Sequence, residues 1–373
     1  MGVSSTNKIP LSRPVITDEM IDAAANALRN ERLVLGESVY RFEEAFARYI
    51  GTDHAISVSS GTAALTLALL ALNIKNQEVI TTPLSFIATA NAVVHAGGIP
   101  RFADVSDQDF NINPIEIPKR ISEKTSTILP VHLFGYPCQM DEIHEIARSR
   151  ELKIVEDAAQ AHGAVFRGKK VGSIGDVGCF SFYSSKNMTV GGDGGMVTTN
   201  DDSLAKAIAK LRDCGRISRY LHDVFGFTAR LNTINAAIGL VQLKYLDEWN
   251  EKRRTIAKYY AKQLEDLPQI RLPPMGTTDV HPVFHLFVIR CEKRDELAKY
   301  LESKGVECGI HYPVPIHLQP IYVETFGHAP GMFPVSEALS KNLLSLPMFP
   351  TLSFNDVRYV CQEIFNFYGG SGR

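Results

Sequence analysis

The sequence predicts an α/β fold with a mostly parallel sheet, followed by a smaller C-terminal α/β domain. Up to residue 200, short β-rich runs alternate with helical patterns, which is typical of a parallel sheet with helices on both faces. From about 235 to 264 the helical periodicity is unusually long, and prolines follow at 268, 273 and 274. The 373 residues suffice for two domains, and we expect the boundary near residue 250.

The individual elements follow from local patterns. Apolar runs of strand length predict strands at 55–59, 78–82, 126–132, 153–156, 177–183 and 195–199. Apolar residues at helical spacing predict helices at 18–30, 63–72, 88–96 and 140–150. Behind the long helical pattern, the sequence predicts a strand at 283–291 and a helix at 294–304.

Composition excludes several classes of protein. A formal net charge of −2 gives no support for nucleic-acid binding. The six cysteines are scattered without metal-type spacing, which is typical of reduced thiols and predicts no metal site. No apolar run reaches membrane-spanning length, and the polar residues 1–7 lack a signal-peptide pattern. We therefore expect a cytoplasmic protein whose polar N-terminus and glycine-rich C-terminus are frayed.

Lys186 is the most informative residue of the chain. An apolar, aromatic run at 179–183 ends in a small polar turn that carries this single amine, and a glycine cluster follows at 191–195. Burying an unpaired ammonium is costly, so such a lysine either extends to the surface or is kept for chemistry. Buried lysines lose proton affinity and become nucleophiles toward carbonyl groups.

Asp157 follows a short apolar strand that runs into two acids. In parallel sheets, ligands bind at the carboxyl ends of the strands, so an acid at this position points into the crevice. Because side chains alternate along a strand, Glu156 is expected to point to the opposite side. Helix capping by Asp157 is the alternative interpretation.

A third segment, Ser57–Leu65, has small residues at a predicted strand-to-helix turn. Such a turn leaves backbone N–H groups free to face an anion, and the helix dipole adds positive charge there. Thr62 supplies a hydroxyl. The same residues are also compatible with a plain helix N-cap.

Together these segments resemble the DegT/DnrJ/EryC1/StrS family of sugar aminotransferases. The resemblance covers nearly the whole chain and rests on Ser-Ser-Gly-Thr-Ala-Ala-Leu at 59–65, Pro-Leu-Ser-Phe-Ile-Ala-Thr at 83–89, Glu-Asp-Ala-Ala-Gln-Ala-His-Gly at 156–163 and Ser-Phe-Tyr-Ser-Ser-Lys-Asn at 181–187. It implies the aspartate-aminotransferase (fold type I) architecture, with a cofactor-binding large domain at 1–250 and a small domain at 251–373.

The resemblance implies that the chain binds pyridoxal 5'-phosphate. Lys186 would hold the cofactor as a Schiff base and later move a proton, and Asp157 would keep the pyridine nitrogen protonated so that the ring acts as an electron sink. Gln160 would hydrogen-bond the ring hydroxyl. Phe86 would stack on one ring face and Ala159 would pack on the other. For Phe86, the alternative is an ordinary core aromatic.

The cofactor phosphate would be bound by Gly61, Thr62 and Ser181. The family often shows Gly-x-Asn-x-Arg before the long helix, with the asparagine reaching the phosphate in the neighbouring subunit. Here Thr228 stands at the asparagine position, and its hydroxyl is shorter and offers one donor. The neighbouring Arg230 is a candidate substitute, and a homodimer with shared active sites is expected.

The loop at 311–320 carries candidate substrate-binding residues. His311, Tyr312 and His317 place polar rings in one proline-rich segment, which indicates a substrate pocket. A purely structural role is the alternative, because Pro313 and Pro315 make the loop rigid. Similarly, His162 either orients Asp157 or caps the turn.

The predicted function is transfer of an amino group from L-glutamate to a nucleotide-linked keto-sugar by a ping-pong mechanism. The 311–320 loop and Gly-Asp-Gly-Gly at 192–195 are similar to family members that act on 3-keto-6-deoxy sugars. Amination of a keto-sugar at C4 and amination of a keto-inositol are the alternative reactions. A sugar dehydratase is disfavoured because such relatives carry histidine at the Lys186 position. A non-enzymatic regulator is disfavoured, because it would not need the lysine, the aspartate and the phosphate-binding segment together.

Overall fold

The computed structural model describes residues 8–369, so the termini expected to fray at 1–7 and 370–373 lie outside it. Within this range the helices are α1 (Asp18–Asn30), α2 (Glu37–Ile50), α3 (Gly61–Ala71), α4 (Ala88–His95), α5 (Met140–Ser149), α6 (Asp202–Arg212), α7 (Thr233–Leu264), α8 (Arg294–Ser303), α9 (Pro320–Phe326), α10 (Pro334–Asn342) and α11 (Phe354–Tyr368). In the described part of the chain, no helix is long and apolar enough to span a membrane.

The strands form one large and two small sheets. They are β1 (His54–Val58), β2 (Glu78–Thr81), β3 (Ile99–Phe102), β4 (Thr125–Ile128), β5 (Lys153–Asp157), β6 (Val165–Phe166), β7 (Lys169–Lys170), β8 (Val177–Ser181), β9 (Gly195–Thr199), β10 (Ile270–Arg271), β11 (Val280–His281), β12 (Phe287–Cys291) and β13 (Leu343–Leu346). The large sheet has the order β1-β9-β8-β5-β4-β2-β3, and the small sheets are β10-β12-β13 and β11-β6-β7.

The large sheet confirms the predicted α/β class with a mostly parallel sheet. Strands β8, β5, β4, β2 and β3 pair in parallel, and β9 pairs antiparallel with both β8 and β1. Because β1 and β8 flank the reversed strand, β1 runs in the same direction as the parallel set. The C-terminal ends of β5 and β8 therefore lie side by side, and the connection from β8 to β9 begins at that edge.

The strand predicted at 177–183 ends at Ser181, and two other predicted strands are shorter by more, for physical reasons. The strand predicted at 126–132 ends at Ile128, because Pro130 has no N–H to donate to the ladder. The strand predicted at 283–291 begins at Phe287. Before it, Val283 N–H donates to Gly135 O at 3.0 Å, so the backbone at 283–286 follows the 134–135 turn instead of the sheet.

The long helix α7 connects two hydrophobic cores. Its first half packs against α1 and α2. Its second half contributes Ile256, Tyr260 and Leu264 to a core with β12, β13, α8 and α11. Tyr260 stacks on Phe287 with ring centroids 4.8 Å apart. The division of the chain at residue 250 stays a prediction, and residue 250 lies within this continuous helix.

Contacts across the two parts hold the C-terminal elements on the large sheet. The Asp104 carboxylate, which follows β3, accepts from the N–H groups of Val335 and Ser336 at 2.9 and 3.0 Å. It also accepts from the Ser336 hydroxyl at 2.6 Å. These donors belong to the first turn of α10, where the helix dipole favours an anion. The loops of both parts are thereby kept next to one another.

An aromatic cluster supports β8 from behind the site. Phe46 of α2 packs edge-on against Phe180 and Phe182 with centroids 5.0 and 5.5 Å apart, and Phe42 completes the group. All four rings are fully buried. Since Phe180 and Phe182 flank Ser181, this packing fixes the end of β8 and the direction of the turn that follows.

Phe46→Ala is expected to lower the free energy of unfolding by about 3–5 kcal/mol, because it leaves a cavity among fixed rings. The measurement is the urea dependence of far-UV circular dichroism. The control is Arg48→Ala on the same helix, where an exposed ion pair with Glu44 is lost. That change should cost at most about 1 kcal/mol. Equal effects of the two substitutions would contradict the supporting role of the cluster.

Candidate active site

A cavity of about 600 Å³ opens where β5, β8 and α3 meet the loops of the C-terminal part. Its walls bring together ten of the thirteen residues that the sequence predicts for the site. They are Gly61, Thr62, Phe86, Asp157, Ala159, Gln160, Ser181, Lys186, His311 and Tyr312. Residues separated by about 250 positions thus share one cavity.

Lys186 lies in the turn after β8, with its side chain half-buried in the cavity wall. Its backbone N–H donates to Tyr183 O at 2.8 Å. The next residue anchors the turn, because Asn187 Nδ2 donates to Asn250 Oδ1 and Val283 O at 2.9 and 3.0 Å. Desolvation by the protein lowers the pKa of Lys186 to about 8, although the Asp157 carboxylate acts in the opposite direction. A sizeable fraction of the amine is therefore neutral near pH 8.

Asp157 is the last residue of β5 and faces the cavity. Its Oδ2 accepts from Thr89 Oγ1 at 2.8 Å, and its Oδ1 accepts from Ala159 N–H at 3.2 Å. Since the Thr89 proton is given to Asp157, the Ser85 hydroxyl, 2.9 Å away, donates to Thr89. Burial raises the pKa of Asp157, and the hydrogen bond from Thr89 opposes the rise. The carboxylate is therefore held in place without a partner of full opposite charge.

Glu156 points away from the cavity, as the strand alternation predicts. It accepts from His132 Nε2 at 2.9 Å and from the N–H groups of Gly172, Ile174 and Gly175 at 2.6–2.8 Å. Cys138 N–H donates to His132 Nδ1, so the ring proton lies on Nε2 and is given to Glu156. The hydrogen bond from His132 and those from the loop lower the pKa of Glu156, against the effect of burial.

The N-terminus of α3 and the end of β8 form a tight corner at one wall of the cavity. Ser60 caps the helix by accepting from Ala63 N–H at 3.1 Å. A Cβ added at Gly61 would lie 2.7 Å from the Ser181 Cβ, so only glycine permits this approach. The free N–H groups of the first helical turn, the Thr62 hydroxyl and the Ser181 hydroxyl thus converge on one small region, which suits an anion.

Gln160, Tyr312 and Phe86 form another wall. Gln160 Oε1 accepts from Phe134 N–H at 2.9 Å, which directs its Nε2 toward the Tyr312 hydroxyl at 3.3 Å. The rings of Phe86 and Tyr312 have centroids 6.0 Å apart. Phe86 is 56% exposed, so it is no core aromatic but presents its ring to the cavity.

Three predicted site residues do not line the cavity. Thr228 Oγ1 lies 3.3 Å from Cys214 Sγ, and Arg230 pairs with Asp213 at 2.6 Å. The placement of His317 in the pocket is wrong. Its ring is buried against Phe333 and contacts a Glu337 oxygen at 3.1 Å, because the 3₁₀ turn at 316–318 directs it into a separate small core.

His162 does not orient Asp157. Its ring is fully buried between Phe180 and Phe182, with centroids 5.5 and 5.7 Å away. The side chain that contacts Asp157 is Thr89, which the sequence analysis did not single out. Its position at the end of the 83–89 motif was the available signal. His285 was missed as well, because it lies within an apolar run that predicts a strand.

The family model of the DegT/DnrJ/EryC1/StrS aminotransferase family matches residues 14–365. The chain belongs to this family. A pleiotropic regulatory protein of Geobacillus stearothermophilus is 39% identical over 352 residues, which cover 94% of both chains. A dTDP-3-amino-3,4,6-trideoxy-α-D-glucose transaminase of Streptomyces venezuelae is 42% identical over 333 residues, 88% of this chain and 87% of that protein.

A similar solved structure supports the fold assignment. The crystal structure of S. venezuelae DesV in complex with a ketimine intermediate is 40% identical and superimposes with a TM-score of 0.91. The match covers 94% of each chain. Together with the mostly parallel sheet, this match confirms the predicted aspartate-aminotransferase (fold type I) architecture.

The labelling rate of Lys186 by an amine-selective reagent should rise through about pH 8, because only the neutral amine reacts and burial lowers its pKa. The measurement is peptide mass spectrometry of the ligand-free protein across a pH series. Asp157→Asn should move the rise to lower pH, since it removes the negative charge that favours the ammonium. A rise only near the ordinary lysine value of 10.5 would contradict the desolvated environment.

Proposed function

We propose that this protein is a pyridoxal 5'-phosphate-dependent aminotransferase that moves the amino group of L-glutamate to a nucleotide-linked keto-sugar. The observation that carries the proposal is the meeting of Lys186, Asp157 and the α3 N-terminus around one cavity. The family to which the chain belongs depends on this cofactor. Nothing in the fold itself requires a lysine, an acid and an anion site around one cavity.

The residues present suit pyridoxal phosphate. The Gly61–Ser181 corner and Thr62 would bind the phosphate, and Asp157 would pair with the pyridine nitrogen. Phe86 and Ala159 would cover the two ring faces. Gln160 bonds Tyr312, so contact of its amide with the ring hydroxyl would be shared with that tyrosine. When bound, the cofactor withdraws electrons from the carbon whose C–H bond is broken.

The chain's own groups supply the proton transfer and the charge. Lys186, freed from its link to the cofactor, would take a proton from the α-carbon of the donor and deliver one to the sugar carbon, which its pKa of about 8 allows. Asp157 would hold the ring nitrogen protonated, and Thr89 fixes the carboxylate that does so. One lysine serving both half-reactions fits a ping-pong sequence.

We favour a 3-keto-6-deoxy sugar as the acceptor. This preference rests on the 311–320 loop, on Gly-Asp-Gly-Gly at 192–195, and on the similarity to the S. venezuelae 3-amino sugar transaminase. A C4 keto-sugar and a keto-inositol are the remaining acceptors to compare. The name of the G. stearothermophilus relative favours a regulator as a second candidate, but a regulator needs no reactive lysine.

A homodimer with shared sites is part of the proposal. The segment at 216–227 presents several exposed apolar side chains, of which Phe225 is fully exposed and Tyr220 is 77% exposed. Thr228 and Arg230 follow this segment and do not line the chain's own cavity. Exposed large apolar side chains concentrated in one segment favour an interaction site. We infer that a second copy covers it and brings Thr228 near the partner's phosphate site.

The loaded protein, given L-glutamate and a panel of nucleotide-linked 3-keto and 4-keto sugars, should yield the 3-amino sugar and 2-oxoglutarate. Mass spectrometry of the sugar and of 2-oxoglutarate measures both products. Lys186→Arg, which keeps the charge, is the control and should form neither. Efficient turnover of a 4-keto sugar or keto-inositol alone would overturn the acceptor. No product with any acceptor, together with unchanged cofactor absorbance in glutamate, would favour the regulator.

Asp157→Asn should lower the transamination rate by roughly 100-fold or more, because it removes the charge that stabilises the protonated ring nitrogen. The measurement is the single-turnover rate with L-glutamate. Asp202→Asn, which removes a carboxylate that is 74% exposed on the surface, serves as the control. An Asp157→Asn rate within threefold of the parent would exclude Asp157 from this role.

A further inference from the structure

The cavity contains few positive charges for a site that is to hold a dicarboxylate. Among the described residues of its wall, Lys186 is the only lysine and there is no arginine. Two residues of the wall, Asp157 and Asp193, are acids. Carboxylates in proteins are commonly bound by arginine, whose planar fork matches their geometry. Within this chain's described wall there is no arginine, so a carboxylate bound by this wall relies on uncharged donors.

His285 is an uncharged donor placed at this wall. It lies in the loop before β12 and is 6% exposed. The buried Arg253 of α7 holds the loop backbone, because its Nη1 donates to Phe284 O and His285 O at 3.1 and 3.2 Å. The ring therefore sits on a fixed backbone at the edge of the cavity.

The two ring nitrogens of His285 differ. Nδ1 is enclosed and has no hydrogen-bond partner. Because His285 lines the cavity and only Nδ1 is enclosed without a partner, we infer that Nε2 is the nitrogen that faces it. An enclosed N–H without an acceptor is costly, so the ring proton belongs on Nε2. Burial, together with the charges of Lys186 and Arg253, lowers the pKa of His285 and keeps the ring neutral. His285 thus points a single unpaired N–H donor into the cavity.

Two further polar side chains line the same cavity. His311 Nδ1 lies 2.8 Å from Ser345 Oγ, which fixes that ring. Tyr312 accepts a hydrogen bond from Gln160, so its own O–H hydrogen is free. The rings of His311 and Tyr312 have centroids 5.5 Å apart. Two or three hydrogen bonds are enough to stabilise an ionised carboxylate inside a protein.

We propose that His285 binds a carboxylate of the amino donor through its Nε2–H, in place of an arginine. The inference rests on the proposed function and deepens it by assigning a donor-binding residue. The enclosed nitrogen without a partner, the access of the other nitrogen to the cavity and the absence of arginine from the described wall carry the proposal. His311 and Tyr312 lie where they can share the same anion.

The experiment is a calorimetric titration of the cofactor-loaded protein with glutarate, a dicarboxylate that has no amine and cannot react. His285→Phe should weaken glutarate binding by about tenfold or more, the loss expected for a hydrogen bond to a charged group. His285→Gln keeps an N–H donor near the Nε2 position and should recover most of the affinity. The matched control is His317→Phe, a buried histidine outside the cavity, which should bind glutarate like the parent.

Urea unfolding of each variant shows that the fold is intact, and His285→Leu replaces the phenylalanine variant if that one does not fold. If the apolar variant binds glutarate as tightly as the parent, and the parent transaminates, the role of His285 is overturned but the proposed function is not. An affinity loss in His285→Phe, restored in His285→Gln, supports it even if the parent makes no amino sugar, in which case only the proposed acceptor reaction fails. Equal losses in both variants would also overturn the donor role.

Discussion

The end of strand β5 is the constraint on which the site depends. Alternation along the strand sends Glu156 to one side, where His132 and three loop N–H groups saturate its carboxylate, and Asp157 to the other side, where it faces the cavity. The buried acid on one face ties the 172–175 loop to the strand. The acid on the other face is thereby fixed without being neutralised. Removing His132 would leave a buried carboxylate oxygen with fewer donors, which is costly, so this hydrogen-bond set stabilises the end of the strand.

Desolvation favours the neutral form of each ionisable group in this site. It lowers the pKa of Lys186 and raises that of Asp157, so each group is drawn toward its neutral form while they favour the charged form of one another. The same burial lowers the pKa of His311 to about 4. The result is a cavity with little net charge, in which hydrogen bonds from neutral donors are stronger than in water. A charged ligand entering it meets aligned donors rather than counter-ions.

The C-terminal part completes the cavity as well as covering the sheet. Its loops contribute His285, His311 and Tyr312 to the wall. Arg253 of α7 holds the loop of His285, and Asp104, which follows β3, holds the first turn of α10. Arg253 is a buried cation that binds backbone carbonyls instead of a carboxylate, and burial lowers its pKa to about 9. Its position on the helix that joins both cores explains how residues distant in the chain reach one space.

The sequence by itself determined the α/β class and the long helix, because these follow from patterns between near neighbours in the chain. It also determined the family, and with it the expectation that Lys186 and Asp157 share a site, because several motifs occur in one order along the chain. Periodicity also placed Glu156 correctly. Only the tertiary structure decided which lateral contacts form. Thr89 reaches Asp157, His162 enters the aromatic core, His317 leaves the pocket, and His285 enters it. A histidine in an apolar run has the same local pattern in a core as in a cavity wall. Its role is fixed by what the fold packs against it, which local sequence does not encode.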